Sequence, residues 1–269
     1  MKRSSLARGG FERPGKTTRR AAVVAALLCA MPPAISGLQE VIAASKPSVV
    51  AVGTYSPTDS PRFGFRGSGF VVGDGNLVVT NAHVLPEAVP AGGSIGRLVV
   101  YVPTAAKEDA RLRTATTVGL DRAHDLALLR IDGAPLPPLR LAADTPAAEG
   151  AAVAIIGFPI GGALGFSPVT HRGIVSSVTA IALPAPTSGD LNARAVHQLR
   201  SGSFDIYQLD ATAYPGNSGG PVIDADTGRV VAVINMVLVK GSKESAIRYP
   251  SGISYAVPVR FVAELLKGR

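Results

Sequence analysis

The sequence predicts an all-β protein built as a pair of packed β-barrels, and three observations carry that prediction. Short runs of Val, Ile and Leu recur between turn residues, with 30 glycines and 21 prolines in 269 residues. Many short strands joined by tight turns produce that mixture. Helical spacing is confined to two short stretches, 38–46 and 259–267. The strands also fall into two groups, one on each side of residues 133–150 (GAPLPPLRLAADTPAAEG). Each group can close a barrel of its own, with a cleft between the two for a ligand.

Composition bounds the function classes. Hydrophobic content of 46% with 17% charged residues describes a folded chain rather than a disordered one. The net charge of +8 suggests nucleic acid until it is located. Seven of the 27 basic side chains and one of the 19 acidic ones lie in residues 1–20, which therefore hold +6 of the total. The body carries only +2, too little for a phosphate-binding surface, so no nucleic-acid partner is expected. Cys29 is the sole cysteine, so no intramolecular disulfide can form and the core alone must hold the fold. Lipidation at Cys29 is disfavoured, because Ala26-Leu27-Leu28 lacks the small residues of a lipoprotein cleavage point.

Residues 1–36 read as a leader. A basic start is followed by the apolar run 21–31 (AAVVAALLCAM) and then Pro32-Pro33-Ala34-Ile35-Ser36, the layout of a secretory signal. The run is well short of the roughly 20 residues a membrane span needs, so the mature chain should hold no stable span. Cleavage is expected near Ser36, with retention as an anchor left open. Thr18-Arg19-Arg20 leaves Sec and twin-arginine export both open, and an amphipathic cytosolic tail is the other reading of the segment. Two barrel domains then follow, 37–145 and 146–269.

In the first domain, 38–46 is a short helix ending before Pro47, whose preceding residue is pushed towards extended geometry. Strand 49–53 follows, and 56–65 reads as an exposed Gly/Pro-rich loop. Strands 67–72 and 77–80 flank the turn Gly73-Asp74-Gly75-Asn76, a clear hairpin signal. Strands 97–102, 111–120 and 125–132 complete this half. The second half contributes strands 152–156, 167–171, 173–182, 205–210, 221–224, 230–239 and 252–257. A polar insertion lies near 184–203, and helix 259–267 closes the chain.

The chemistry centres on Tyr214-Pro215-Gly216-Asn217-Ser218-Gly219-Gly220. A hydroxyl among small residues lets the backbone bend tightly and brings N–H groups up to a reacting carbonyl. Serine becomes a useful nucleophile only beside a base, which needs an orienting acid. His83 in Thr80-Asn81-Ala82-His83-Val84 is the candidate base, and Asp125 in His124-Asp125-Leu126-Ala127-Leu128 the candidate acid. A carboxylate heading an apolar strand is otherwise an expensive choice, with Asp121 as the fallback. His124 adjoins Asp125 too closely to share its role; His171 and His197 read as structural or solvated. The oxyanion hole falls to the N–H groups of Gly216 and Ser218, a turn-forming role being the other reading of Gly216. Asp210 reads as structural. No metal or cofactor is expected.

Blocks in this order resemble the trypsin-like serine proteases, and specifically the protease domain of the HtrA/Deg family. The match runs along most of residues 45–258, through Gly67-Ser68-Gly69-Phe70, Thr80–Val84, Asp125–Leu129, Gly157-Phe158-Pro159, Gly173-Ile174-Val175-Ser176, Gly216–Pro221 and Gly252–Pro258. The resemblance implies two six-stranded antiparallel barrels and a serine endopeptidase acting on unfolded or exported polypeptides, periplasmic or secreted in bacteria. A non-cleaving polypeptide-binding chaperone and an esterase on the same scaffold are the alternatives. The PDZ module and the aromatic trimerisation segment of family members are not evident, so oligomeric state is open, a trimer included. The residue that sets Lys/Arg specificity in trypsin-like relatives corresponds to Thr212, uncharged here. With Tyr214, Ile234, Asn235 and Met236 it outlines a substrate pocket suited to small or aliphatic side chains. Core packing is the other reading of Ile234, and Glu244 of loop 240–251 is within sequence reach of the pocket.

Overall fold

The structure, a computed structural model, describes residues 37–86, 96–103, 111–161, 165–180, 204–235 and 252–268. Helix α1 (Leu38–Ser45) leads through a 3-10 turn (Lys46–Ser48) into β1 (Val49–Tyr55). Then come β2 (Phe63–Val72), β3 (Leu77–Asn81), a 3-10 turn (Ala82–Val84), β4 (Arg97–Tyr101), β5 (Leu112–Asp121) and β6 (Leu126–Ile131). The second half holds β7 (Ala152–Gly157), β8 (Val169–Ala180), β9 (Asp205–Asp210), β10 (Pro221–Asp224), β11 (Val230–Ile234) and β12 (Ile253–Pro258). Helix α2 (Arg260–Lys267) follows. The strands form two closed antiparallel barrels, ordered β1-β2-β3-β6-β5-β4 and β7-β8-β9-β12-β11-β10. The halves therefore share one topology, although no motif repeats between them in the sequence.

Burial explains why so many strands are apolar on both faces. Val50, Val52, Val71, Val78 and Leu129 fill the interior of the first barrel. Their alternating neighbours Val49, Ala51, Phe70, Val72, Val79 and Leu128 face a second cluster shared with Ile156, Phe158, Ile223, Val233 and Val257 of the other barrel. A strand with a core on each side reads as a continuous apolar run, as in β1 and β3. β5 and β8, which present an exposed face, carry interspersed polar residues. A third cluster, with Ile155, Leu209, Val222 and Ile234, fills the second barrel.

Three elements depart from the sequence reading. The loop expected over 56–65 yields to strand from Phe63 onward, paired with β1 through Tyr55↔Phe63 and Gly53↔Phe65. Phe63 and Phe65 join an aromatic group with Tyr101, Phe158 and Phe166, whose burial outweighs the flanking Pro and Gly signals. The two strands expected over 167–171 and 173–182 are one, β8. Gly173 is not a break: a Cβ there would collide with the Asp210 carbonyl of β9, so glycine permits the close approach. The strand expected over 230–239 is described as far as Ile234, and Asn235 is the last described residue before 252. Linker 133–150 is strapped to both barrels near its middle, by Leu139 N–H to Val71 O (2.9 Å) and Ala142 N–H to Val230 O (2.8 Å).

Candidate active site

Antiparallel pairing of β3 with β6 places Asn81 opposite Leu126, so the residues just beyond β3 meet those just before β6. His83 lies in the 3-10 turn after β3, and Asp125 in the turn before β6 at φ 55°, a left-handed geometry Asp tolerates better than most residues. The turns are tied through the Asp125 carbonyl, which accepts from Ala82 N–H (2.9 Å) and Asn81 Nδ2 (3.0 Å). The carboxylate is buried at 6% exposure and collects donors. Oδ1 accepts from the His83 backbone N–H (2.9 Å), while Oδ2 lies 2.6 Å from His83 Nδ1 and accepts from Asn235 Nδ2 at 2.9 Å. An ionised carboxylate only accepts, so Nδ1 is the nitrogen that donates to it, and in the neutral tautomer this leaves Nε2 as the acceptor.

Ser218 belongs to the loop between β9 and β10, which the second barrel presents to β2 of the first. Its carbonyl accepts from Ser68 N–H at 2.8 Å. Gly67, beside Ser68, marks where the halves converge. A Cβ there would lie 2.9 Å from Ser218 O and 2.6 Å from a methyl of Val84, the residue after His83. The glycines of the Ser218 loop answer to similar crowding. Gly216 (φ 104°) would drive a Cβ into the Phe158 carbonyl, and Gly219 (φ 86°) into that of Ser68. The turn that carries His83 and the loop that carries Ser218, 135 positions apart in the chain, thus meet around Gly67 at the seam of the two barrels.

The other predicted site residues separate. Thr212 and Tyr214 are half-buried on the approach to the loop, with Tyr214 O accepting from Asn217 N–H at 3.0 Å. Ile234 is fully buried in the second barrel's interior, and its backbone holds Gly219 and Gly220 in place. Asn235, on the opposite strand face, reaches Asp125. Met236, Glu244 and His197 lie outside the described residues. Asp210 is exposed at the end of β9.

The remaining histidines have other surroundings. His124 Nδ1 lies 2.6 Å from Asp121 Oδ2, and the ring stacks on Phe261 of α2 at 3.7 Å. Burial raises the Asp121 carboxyl, but hydrogen bonds from the His124 side chain and backbone outweigh it and hold the group below its ordinary value. The alternative acid is therefore committed to its own histidine. His171, on β8, leaves Nε2 buried without a hydrogen bond among the described residues, and burial lowers its pKa. Its ring lies 5.7 Å from that of Tyr214.

The sequence model of the trypsin-like peptidase domain matches residues 67–233, a range that contains His83, Asp125 and Ser218. The chain belongs to the trypsin-like peptidase family. It is 32% identical over 203 residues to a probable periplasmic serine endoprotease, DegP-like, of Chlamydia muridarum, covering 75% of this chain and 33% of the relative. It is 34% identical over 194 residues to the serine protease Rv3671c of Mycobacterium tuberculosis, covering 72% of this chain and 41% of the relative. The chain thus spans about a third to two-fifths of these relatives' length. The crystal structure of the Rv3671c protease, described as its inactive form, superposes with a TM-score of 0.57 at 28% identity, over 85% of this chain and 91% of that one. The HtrA-type protease AlgW with a decapeptide shares the fold, with a TM-score of 0.59 at 23% identity over 87% of this chain and 67% of that one.

Two residues that sequence reasoning missed stand out. Asn235, read as pocket lining, is a further donor to the Asp125 carboxylate. Ser68, quoted only as part of a family block, touches the Ser218 loop at several atoms. Neither contact leaves a local signal, because each joins residues more than 100 positions apart.

Proposed function

We propose that the chain is a serine endopeptidase that cuts unfolded or exported polypeptides through an acyl-enzyme. His83 Nε2 takes the Ser218 Oγ proton as Oγ attacks the scissile carbonyl. The N–H groups of Gly216 and Ser218 receive the developing oxyanion. Imidazolium then protonates the leaving amine, and water repeats the sequence to release the acid and restore the serine. Asp125 holds the imidazole in the tautomer that leaves Nε2 free to accept and stabilises the cation that forms. Barrels 37–145 and 146–269 work as one unit in this scheme, and the leader directs export to the periplasm or beyond.

The observation that carries the reading is the buried Asp125 carboxylate with His83 Nδ1 at 2.6 Å and two further donors. A structural ion pair has no need of a histidine so oriented beside a glycine-flanked serine. The inter-barrel cleft suits extended polypeptide, which can pair as an added strand, and this favours a peptide over a small ester. The test is digestion of casein by the mature chain beside Ser218→Ala. The wild type should cut, and the variant should fold normally with kcat lower by roughly 10⁶. A wild type that binds casein without cutting it would establish the chaperone alternative, and a Ser218→Ala protein that still digests casein would refute the nucleophile.

A further inference from the structure

We propose that Ser68 is a positioning residue whose hydroxyl, reaching across from the first barrel, holds the oxyanion loop of the second in its working shape. The inference rests on the reading of Gly216 and Ser218 as the oxyanion donors. It starts from the rigidity of the peptide unit. Because the unit is planar and trans, fixing the direction of a carbonyl fixes the N–H on its far side in the opposite direction.

Each carbonyl from Pro215 to Asn217 is held. Pro215 O accepts from Ile160 N–H at 2.8 Å, which aims the Gly216 N–H. Asn217 O accepts from Gly220 N–H at 2.9 Å, which aims the Ser218 N–H. The unit between them, Gly216–Asn217, is held by Ser68, whose Oγ donates to Gly216 O at 2.7 Å. The first two clamps are backbone groups; the middle one is a side chain, and it belongs to the other barrel. The same hydroxyl accepts from Phe158 N–H at 3.0 Å, so it also anchors the segment that supplies Ile160. Ser68 N–H donates to Ser218 O at 2.8 Å, and the residue is fully buried.

The hinge that needs this restraint is Gly216. At φ 104° it has no Cβ to limit rotation, and glycine visits other φ values at little cost. Without the Ser68 hydroxyl, the Gly216 carbonyl and Phe158 N–H both lose a partner. The middle peptide, then held only through Asn217 N–H to Tyr214 O at 3.0 Å, can turn and carry the two flanking N–H groups out of register. Ser68 meets the proposed triad through its backbone N–H, which donates to Ser218 O at 2.8 Å, and substitution of the side chain leaves that donor in place.

The experiment compares Ser68→Ala and Ser68→Thr with wild type. Ser45→Ala serves as a control, because it removes another buried serine bond (Oγ to Val41 O, 2.7 Å) remote from the loop. Folding, kcat and KM on a peptide substrate, and affinity for a peptide boronic acid that forms a tetrahedral adduct with Ser218 are measured for each. Loss of one oxyanion donor lowers kcat by about 10²-fold, and Ser68→Ala should approach that loss with KM within about twofold of wild type. Boronate affinity should fall with kcat, while Ser45→Ala retains both and Ser68→Thr, which keeps the hydroxyl, stays within about tenfold of wild type. Folded Ser68→Ala with wild-type kcat, or with low kcat but undiminished boronate affinity, overturns the proposal. Should Ser68→Ala not fold, a folded Ser68→Thr with a loss of about 10² overturns it equally. A wild-type chain that neither cuts peptide nor binds boronate overturns the reading of the site, and the Ser68 role with it.

Discussion

Replacing Asp125 by Asn tests the triad most directly, because the charge goes while the shape stays. Among the described residues, the carboxylate receives His83 N–H at Oδ1, and His83 Nδ1 and Asn235 Nδ2 at Oδ2. An amide has one acceptor end and one donor end, so either orientation sets donor against donor. With the NH₂ at the Oδ1 position it confronts a backbone N–H, which cannot move its proton. With the NH₂ at the Oδ2 position it confronts a histidine that can shift its proton to Nε2 and an Asn235 side chain that can turn. The second arrangement is the cheaper one, and it protonates the nitrogen that must accept from Ser218. The expected fall in kcat is roughly 10⁴, the size of the same substitution in another serine protease, equivalent to about 5.4 kcal/mol. One buried donor left unpaired costs about 1–3 kcal/mol of stability, so the variant should still fold. Peptide turnover with thermal unfolding as a control measures both. A folded Asp125→Asn protein with kcat within about tenfold of wild type refutes the argument.

Two further outcomes are expected. Because burial lowers the His171 pKa below its ordinary 6.5, the unfolded chain takes up a proton first as pH falls. Stability should therefore decline with acidification from about 6.5 towards the lowered native value, and His171→Asn should flatten that slope in urea titrations at stepped pH; an unchanged slope would discount His171 as its source. Cleavage sites mapped by mass spectrometry in an unfolded protein should follow small or aliphatic residues on the acyl side. Thr212 offers no charge to a buried Lys or Arg, whose desolvation costs several kcal/mol even after relaxation. A majority of cuts after Lys or Arg would defeat this.

Local chemistry made most of the strands, and His83, Asp125 and Ser218 as candidates, legible in the sequence. The turn at Gly73-Asp74-Gly75-Asn76 is one instance. Both glycines adopt positive φ and Asp74 accepts from Asn76 N–H at 3.0 Å, a contact set by residues two apart. His83 follows β3, and Asp125 precedes β6, because each motif sits against its own strand. What stayed illegible depended on which strand faces which. Ile234 and Asn235 look equally suited to a pocket in sequence, yet period-two alternation sends one into the barrel interior and the other to Asp125. Gly173 reads as a break by composition, and only the neighbouring Asp210 carbonyl shows it to be a point of close approach.

The sequence by itself determined where the strands lie, which serine is flanked by glycine, and that a histidine and an acid precede it in the chain. Those features are written in propensities and spacings that act over a few residues. Tertiary structure alone decided that Ser68 reaches Gly216 from 148 positions away and that Asn235 completes the shell of Asp125 from 110. The physical reason is barrel closure. Once each sheet curls onto itself and the two share an apolar face, burial brings together polar groups from distant segments. Away from water, those groups must then satisfy one another.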